Sequence, residues 1–352
     1  MPRNGKFVRI ALGLAAVGMV ASLAVITAGT ASAKTSSGTV NGAGSTFVAP
    51  LVNKWMGPVQ SQLGITLNYN PNGSTGGVQA ITTHEADFGA SDAPLSQFNP
   101  TCTTCVQIPW ALAATAVIYN VGHGSLQHLK MTGPVLAQIY LGKITKWNAP
   151  AIKKLNKGKN LPSTSITVVH RSDGSGTTFN FTDYLSHVSH TWKSQVGTGT
   201  SVNWPTGEGE GHSSGVAGTV KSTDGAIGYV DVDYAVVNHL GIMVMKNRAG
   251  NFVQPRAAGI KAAAALDTHP AKDGSLSIVN PPASHKYRNA YPICTYTYVD
   301  VQRASGANTA NIKRLISWAV TKGQSYGPPI IFEPLPKAVV TFDKKQIKKI
   351  HS

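Results

Sequence analysis

Three short stretches set glycine beside serine or threonine just ahead of helical patterns: GAGSTFVAP (Gly42–Pro50), NGSTGGV (Asn72–Val78) and RSDGSGTTF (Arg171–Phe179). A helix start offers backbone N–H groups without intrahelical partners, and the positive end of the helix dipole. Hydroxyls add further donors, and glycine lets the backbone approach an anion closely. One such loop is equally well an ordinary cap, because serine and threonine cap helices with the same letters. Three in one chain can converge on a single tetrahedral oxyanion. The third also carries a formal positive charge, Arg171, with Asp173 two residues on.

Other chemistries fit these residues less well. A nucleotide-binding P-loop needs a lysine that GSGTTF lacks. A serine-hydrolase elbow needs glycine two residues either side of the nucleophile, and Ser175 has Asp173 and Thr177 there. A general base distant in sequence would still leave catalysis open. Cys102 and Cys105 form a CxxC and Cys294 stands alone, with no further ligands at zinc spacing, so no metal site is expected. Outside the cytoplasm a disulfide between two of the three is the simpler reading, and the spacing does not say which two. Glu208 and Glu210 sit in GEGEG (Gly207–Gly211), expected to be a surface loop or mobile rim and a poor platform for acid–base work. His84-Glu85 reads as a solvated helix end, and the tryptophans read as packing.

The elements that must hold these loops alternate. Strands are expected at Leu67–Tyr69, Phe88–Ala90, Leu112–Tyr119, Ser165–Val169, Ala226–Val230 and Tyr291–Val301. Helices are expected at Val78–His84, Pro134–Tyr140, Thr177–His187 and Ile312–Val320. Such alternation argues for α/β lobes. No internal repeat or long low-complexity segment interrupts them.

The chain starts with Arg3, Lys6 and Arg9, an apolar run from Ile10 to Ala28, and a small-residue site at Thr30–Ala33. This is the form of an export leader over residues 1–33, with a mature chain from about Lys34; the alternative is an uncleaved membrane anchor. No cysteine near the cut offers a lipid site, and no later segment is apolar for long enough to span a bilayer. The full chain carries a net charge of +16; removing three basic leader residues leaves +13 (16 − 3). That balance favours anionic partners or an anionic surface. The basic residues are spread out, with a concentration at Lys337, Lys344, Lys345, Lys348 and Lys349. Without a basic stripe interleaved with aromatics, nucleic acid is not an expected partner.

The motifs NGAGSTFVAPLVNKW, GSTGGVQAI, DFGASDAPLS, YLGKITKWN, VVHRSDGSGTTF and GAIGYVDVDYA, in this order, resemble the secreted phosphate-binding proteins of high-affinity phosphate importers of the ATP-binding-cassette type. The resemblance runs from about Asn41 to the final helix. Gln97–Gln107, with its CxxC, and the basic tail depart from the family's pattern. The resemblance implies a two-lobed α/β fold of the type II periplasmic-binding-protein kind, each lobe a mixed sheet flanked by helices, with the ligand in the cleft. It implies lobe 1 from 34–115 and 293–352, and lobe 2 from 116–292. Thr46, Phe47 and Ser74 would donate from lobe 1. Arg171, Ser175, Gly176 and Thr177 would donate from lobe 2, with Asp173 orienting Arg171. Asp92, in GASDAPL, would accept the proton that phosphate carries near neutral pH; sulfate has none to give, and would leave Asp92 unpaired. Taken alone, Asp92 reads more simply as a cap ahead of Ala93-Pro94; beside the other motifs the ligand role is the better reading. The implied partners are inorganic phosphate and membrane permease subunits, with no cofactor and a monomeric chain, periplasmic or wall-associated after export. The alternatives are a binding protein for another oxyanion, arsenate included, and a secreted phosphatase or serine hydrolase.

Overall fold

One strand of fifteen consecutive buried residues, Cys105–Tyr119, organises the computed structural model, which describes residues 38–352. The leader expected at residues 1–33 lies outside them. The strand's sequence, CVQIPWALAATAVIY, is apolar with few exceptions, as a strand covered on both faces requires.

The chain reaches this strand through β1 (Gly38–Gly44), α1 (Ala49–Leu63), β2 (Ile65–Asn70), α2 (Ser74–Thr82) and β3 (Phe88–Ser91); Cys105–Tyr119 is then β4. Next come β5 (Lys130–Thr132), α3 (Gly133–Tyr140), α4 (Pro150–Leu155), β6 (Thr167–Arg171), α5 (Gly176–Val188) and α6 (His190–Gln195). Further on are β7 (Glu208–Glu210), α7 (His212–Ser222), β8 (Ala226–Asp231), α8 (Val232–Val237), β9 (Gly241–Ile242), β10 (Val244–Lys246), β11 (Phe252–Val253) and α9 (Ala257–Ala264). The chain returns through β12 (Cys294–Gln302), α10 (Thr309–Ala319) and α11 (Lys337–Lys348). Among the described residues no helix is long and apolar enough to cross a membrane.

The main sheet runs β2-β1-β3-β12-β4-β8-β6-β7, with β9 also on β4, and β11-β10-β5 form a small second sheet. β4 changes partner midway. Cys105 to Ala114 lie against β12, and Thr115 to Tyr119 lie against β8. The mixed sheets of the two lobes are thus joined through one strand. Pro109, which cannot donate to a ladder, falls at the register shift opposite Thr297 and Tyr298. Edge-to-face rings of Trp55, Phe88 and Trp110 fill the core on one side of the partner change. Tyr140, Phe181 and Tyr229 fill it on the other.

The structure differs from the sequence expectations in particular places. The GEGEG segment is not a free rim: Glu208–Glu210 forms β7, parallel to β6. Gly207 permits this at φ 110°, because a Cβ there would sit 2.6 Å from the Val168 carbonyl oxygen. A short charged strand suits a sheet edge. α2 begins at Ser74, four residues before the expected Val78, so the Ser-Thr-Gly-Gly letters are its first turn rather than its approach. β4 begins seven residues earlier than expected (112 − 105), where the alternation is too weak to announce a strand. The disulfide joins Cys102 to Cys105, and Cys294 is free and buried.

Candidate anion-binding site

Four helix starts meet, tied to one another by hydrogen bonds. They are those of α1, α2 and α5, which the three glycine-hydroxyl loops supply, and that of α7. In the turn ahead of α1, Phe47 and Val48 N–H donate to Ser45 Oγ, at 3.0 and 3.4 Å. Ser74 Oγ, at the start of α2, accepts from Gly176 N at 3.0 Å and Asp92 N at 3.4 Å, tying α2, α5 and the Asp92 loop together. Ser175 caps α5, its Oγ accepting from Thr178 N at 3.1 Å. Its hydroxyl proton remains to donate, while its own N–H goes to the Thr200 carbonyl at 2.8 Å. Gly176 is required by contact: a Cβ would meet the Asp92 and Ala93 nitrogens at 2.6 and 2.7 Å. Only glycine lets these two backbones touch.

Arg171 is buried, and its partner Asp173 is half-buried. Arg171, 3% exposed, donates Nε to Asp173 Oδ1 at 2.6 Å and an Nη to Asp173 Oδ2. Asp173 Oδ1 also accepts from His212 N at 3.1 Å. Burial raises the Asp173 pKa, but the Arg171 hydrogen bonds and charge, with the His212 amide, outweigh it and hold the group below its ordinary value. Asp173 therefore stays ionised and fixes the guanidinium plane.

Asp92 is 2% exposed. Its Oδ1 accepts from Ser45 Oγ at 2.6 Å, and its Oδ2 from Thr177 Oγ1 at 3.4 Å. It does not cap the turn at Ala93-Pro94, where Pro94 holds the N-cap position. Burial pushes its pKa up from 3.8 to about 6, against the pull of Ser45, Arg171, Thr177 and Ser74. At neutral pH Asp92 is a mostly ionised acceptor in a wall of donors, set against the Arg171 cation.

Every residue named for the site in the sequence therefore lies in one cluster: Thr46, Phe47, Ser74, Asp92, Arg171, Ser175, Gly176 and Thr177 are buried, and Asp173 is half-buried at its edge. Four participants were not named. Ser45, within GAGSTFVAP, donates to Asp92. Ser213 exchanges a hydrogen bond with Thr46, Oγ1 to Oγ at 2.9 Å, and its N–H reaches Thr46 Oγ1 at 3.3 Å. His212 donates to Asp173. Tyr229 Oη accepts from Arg171 N at 3.2 Å and bonds Thr178 Oγ1 at 2.7 Å. The signal for α7 was present: GHSSG (Gly211–Gly215) has the same glycine-serine composition ahead of a helix as the other three loops.

Known proteins share this chain's fold and much of its sequence. A family model described as a PBP superfamily domain matches residues 29–322. The fold is that of the superfamily's two-lobed binding proteins. Phosphate-binding protein PstS of Xylella fastidiosa is 39% identical over 310 residues, covering 87% of this chain and 84% of its own. Its counterpart in Pasteurella multocida is 39% identical over 304 residues, covering 86% and 88%. The solved phosphate-binding protein of Stenotrophomonas maltophilia shares the fold, with a TM-score of 0.66 at 18% identity over 87% of this chain and 93% of that one. The chain belongs to the PstS family of phosphate-binding proteins within the PBP superfamily.

Proposed function

We propose that this chain is the extracytoplasmic substrate-binding component of a phosphate importer of the ATP-binding-cassette type. It captures inorganic phosphate between two lobes and hands it to the membrane permease. It is a binding protein and not an enzyme, as the PstS relatives are. The observation that carries the reading is the pairing of one buried acceptor, Asp92, with a ring of donors around Arg171. A proton-bearing tetrahedral anion satisfies both at once.

In this reading Thr46, Phe47, Ser74 and Asp92 belong to lobe 1, and Arg171, Ser175, Gly176 and Thr177 to lobe 2. Lobe 1 is 34–115 with 293–352, and lobe 2 is 116–292. The change of partner at Ala114 and Thr115, and the start of β12 at Cys294, support those boundaries. Bonds such as Gly176 N to Ser74 Oγ then cross between lobes, so capture and closure are one event. Export is supported by the leader pattern and by the Cys102–Cys105 disulfide, which suits an oxidising compartment.

Calorimetric titration of the refolded, ligand-stripped chain with phosphate and then sulfate tests the reading. The expected result is one tight phosphate site and no sulfate signal. Equal binding of both anions would keep an oxyanion cleft but remove phosphate as its ligand. No binding of either would remove the transport role.

A further inference from the structure

We propose that this chain carries a second anion site, remote from Arg171, that holds a linear phosphate-bearing polyanion. It is a pocket of about 240 Å³ lined by Lys272, Arg303 and Lys349, with Gln346, Cys102 and Cys105 in its walls. The three cations are exposed, and their side chains make no ion pair or hydrogen bond with any described residue. The acidic group in the wall, Asp273, is held by Ser275, whose N–H and Oγ donate to its Oδ1 at 3.0 and 2.7 Å.

The fold builds this pocket from segments distant in sequence. The disulfide ties the loop that bears Thr104. Thr104 Oγ1 donates to Gln302 Oε1 at 2.6 Å, and Arg303 N donates to the Thr104 carbonyl at 3.1 Å. At the chain's end His351 N donates to the Arg303 carbonyl at 2.7 Å, and Ser305 N to the His351 carbonyl at 2.9 Å, which brings Lys349 alongside Arg303. The CxxC segment and the basic tail, the two regions that depart from the family pattern, thus meet here.

A row of charge leads into the pocket. On α11 and its C-cap, Lys337, Lys344, Lys345, Lys348 and Lys349 are all exposed, and the helix's one acidic residue, Asp343, is buried. These positions fall on one helical face and span about 18 Å at the helical rise. A row of cations that ends in a concave basic pocket matches an extended chain of phosphate groups better than a single ion. It matches a membrane surface poorly, because among the described residues the exposed large apolar side chains, Val236 and Val237, lie on α8 and not on this face.

The probe is linear inorganic polyphosphate, titrated into the purified chain over a range of salt. The wild type should bind, with affinity falling steeply as salt rises. The double variant Arg303→Gln/Lys349→Gln should bind about tenfold or more weakly, with a salt slope lower by about two, and with orthophosphate binding unchanged. The control Lys153→Gln/Lys154→Gln removes the same charge from exposed positions on α4 and should leave polyphosphate binding near wild type. Three results would overturn the proposal: no polyphosphate binding at low salt, an equal loss in the control pair, or tighter binding to anionic phospholipid vesicles than to the polymer.

Discussion

The buried cluster around Arg171 and the C-terminal helix face arrange their charges by opposite physics. In the cluster Arg171 is buried and paired with Asp173, among hydroxyls and helix-start amides held in fixed directions. On α11 the cations are exposed, unpaired and free to move on long stems. Buried directional donors discriminate, because a ligand that mismatches one of them leaves a desolvated group unpaired. Exposed cations attract any dense negative charge, and salt screens them within about 8–10 Å. A binding site for one ion and a holding surface for a polyanion need these two solutions respectively. The carboxylate Asp92 belongs only to the first, since on the exposed face it would merely cancel charge.

Arg171→Met should break the comparison most severely. It leaves the half-buried Asp173 without its partner, and the expected loss in phosphate affinity is about two to four powers of ten by calorimetry. Polyphosphate binding to the same variant should not change. Asp92→Asn comes next and has two readouts. The ratio of phosphate to sulfate affinity should collapse by about two powers of ten or more, because an amide no longer demands a proton from the ligand. The ligand-free chain should also become more stable. In the fold the Asp92 pKa is raised from 3.8 to about 6, so its stabilising contribution is complete below 3.8 and is lost as pH rises through 6. At neutral pH the ionised group therefore costs about 3 kcal/mol, which the variant should recover in urea melts at pH 7 but not near pH 4.

The same shift sharpens the specificity argument in the wild type. Below pH about 6, Asp92 carries a proton and becomes a donor, so weak sulfate binding should emerge in an acid titration series. Persistence of complete sulfate rejection at pH 5 would count against Asp92 as the reader of ligand protonation. Gly176→Ala should weaken phosphate binding by about 1–3 kcal/mol, since its Cβ would force the α5 start away from the Asp92 backbone. The smallest effect is the salt response of phosphate binding itself. It should vary little between about 50 and 200 mM salt, a range over which polyphosphate binding should fall steeply.

Chemistry was largely legible in the sequence because it depends on residue types in short runs. Glycine with serine or threonine ahead of a helix predicts a donor-rich helix start wherever the loop lies. Arg171 and Asp173, two residues apart at the end of a strand, can pair locally. The alternation of strands and helices defined the α/β class, and six ordered motifs identified the family. Other local features were hidden by composition: glycine and glutamate in GEGEG do not read as a strand, because an edge strand's pairing comes from its neighbour β6. Contacts between distant segments were decided by tertiary structure alone. Nothing near Thr46 in the chain indicates Ser213, 167 residues away, and nothing near the CxxC indicates that Arg303 and Lys349 stand beside it. The raised pKa of Asp92 has the same origin, since desolvation is a property of everything packed around a carboxylate and not of the letters beside it. The sequence determined which groups could bind an anion; packing determined which of them face one another, and how dry the place is where they meet.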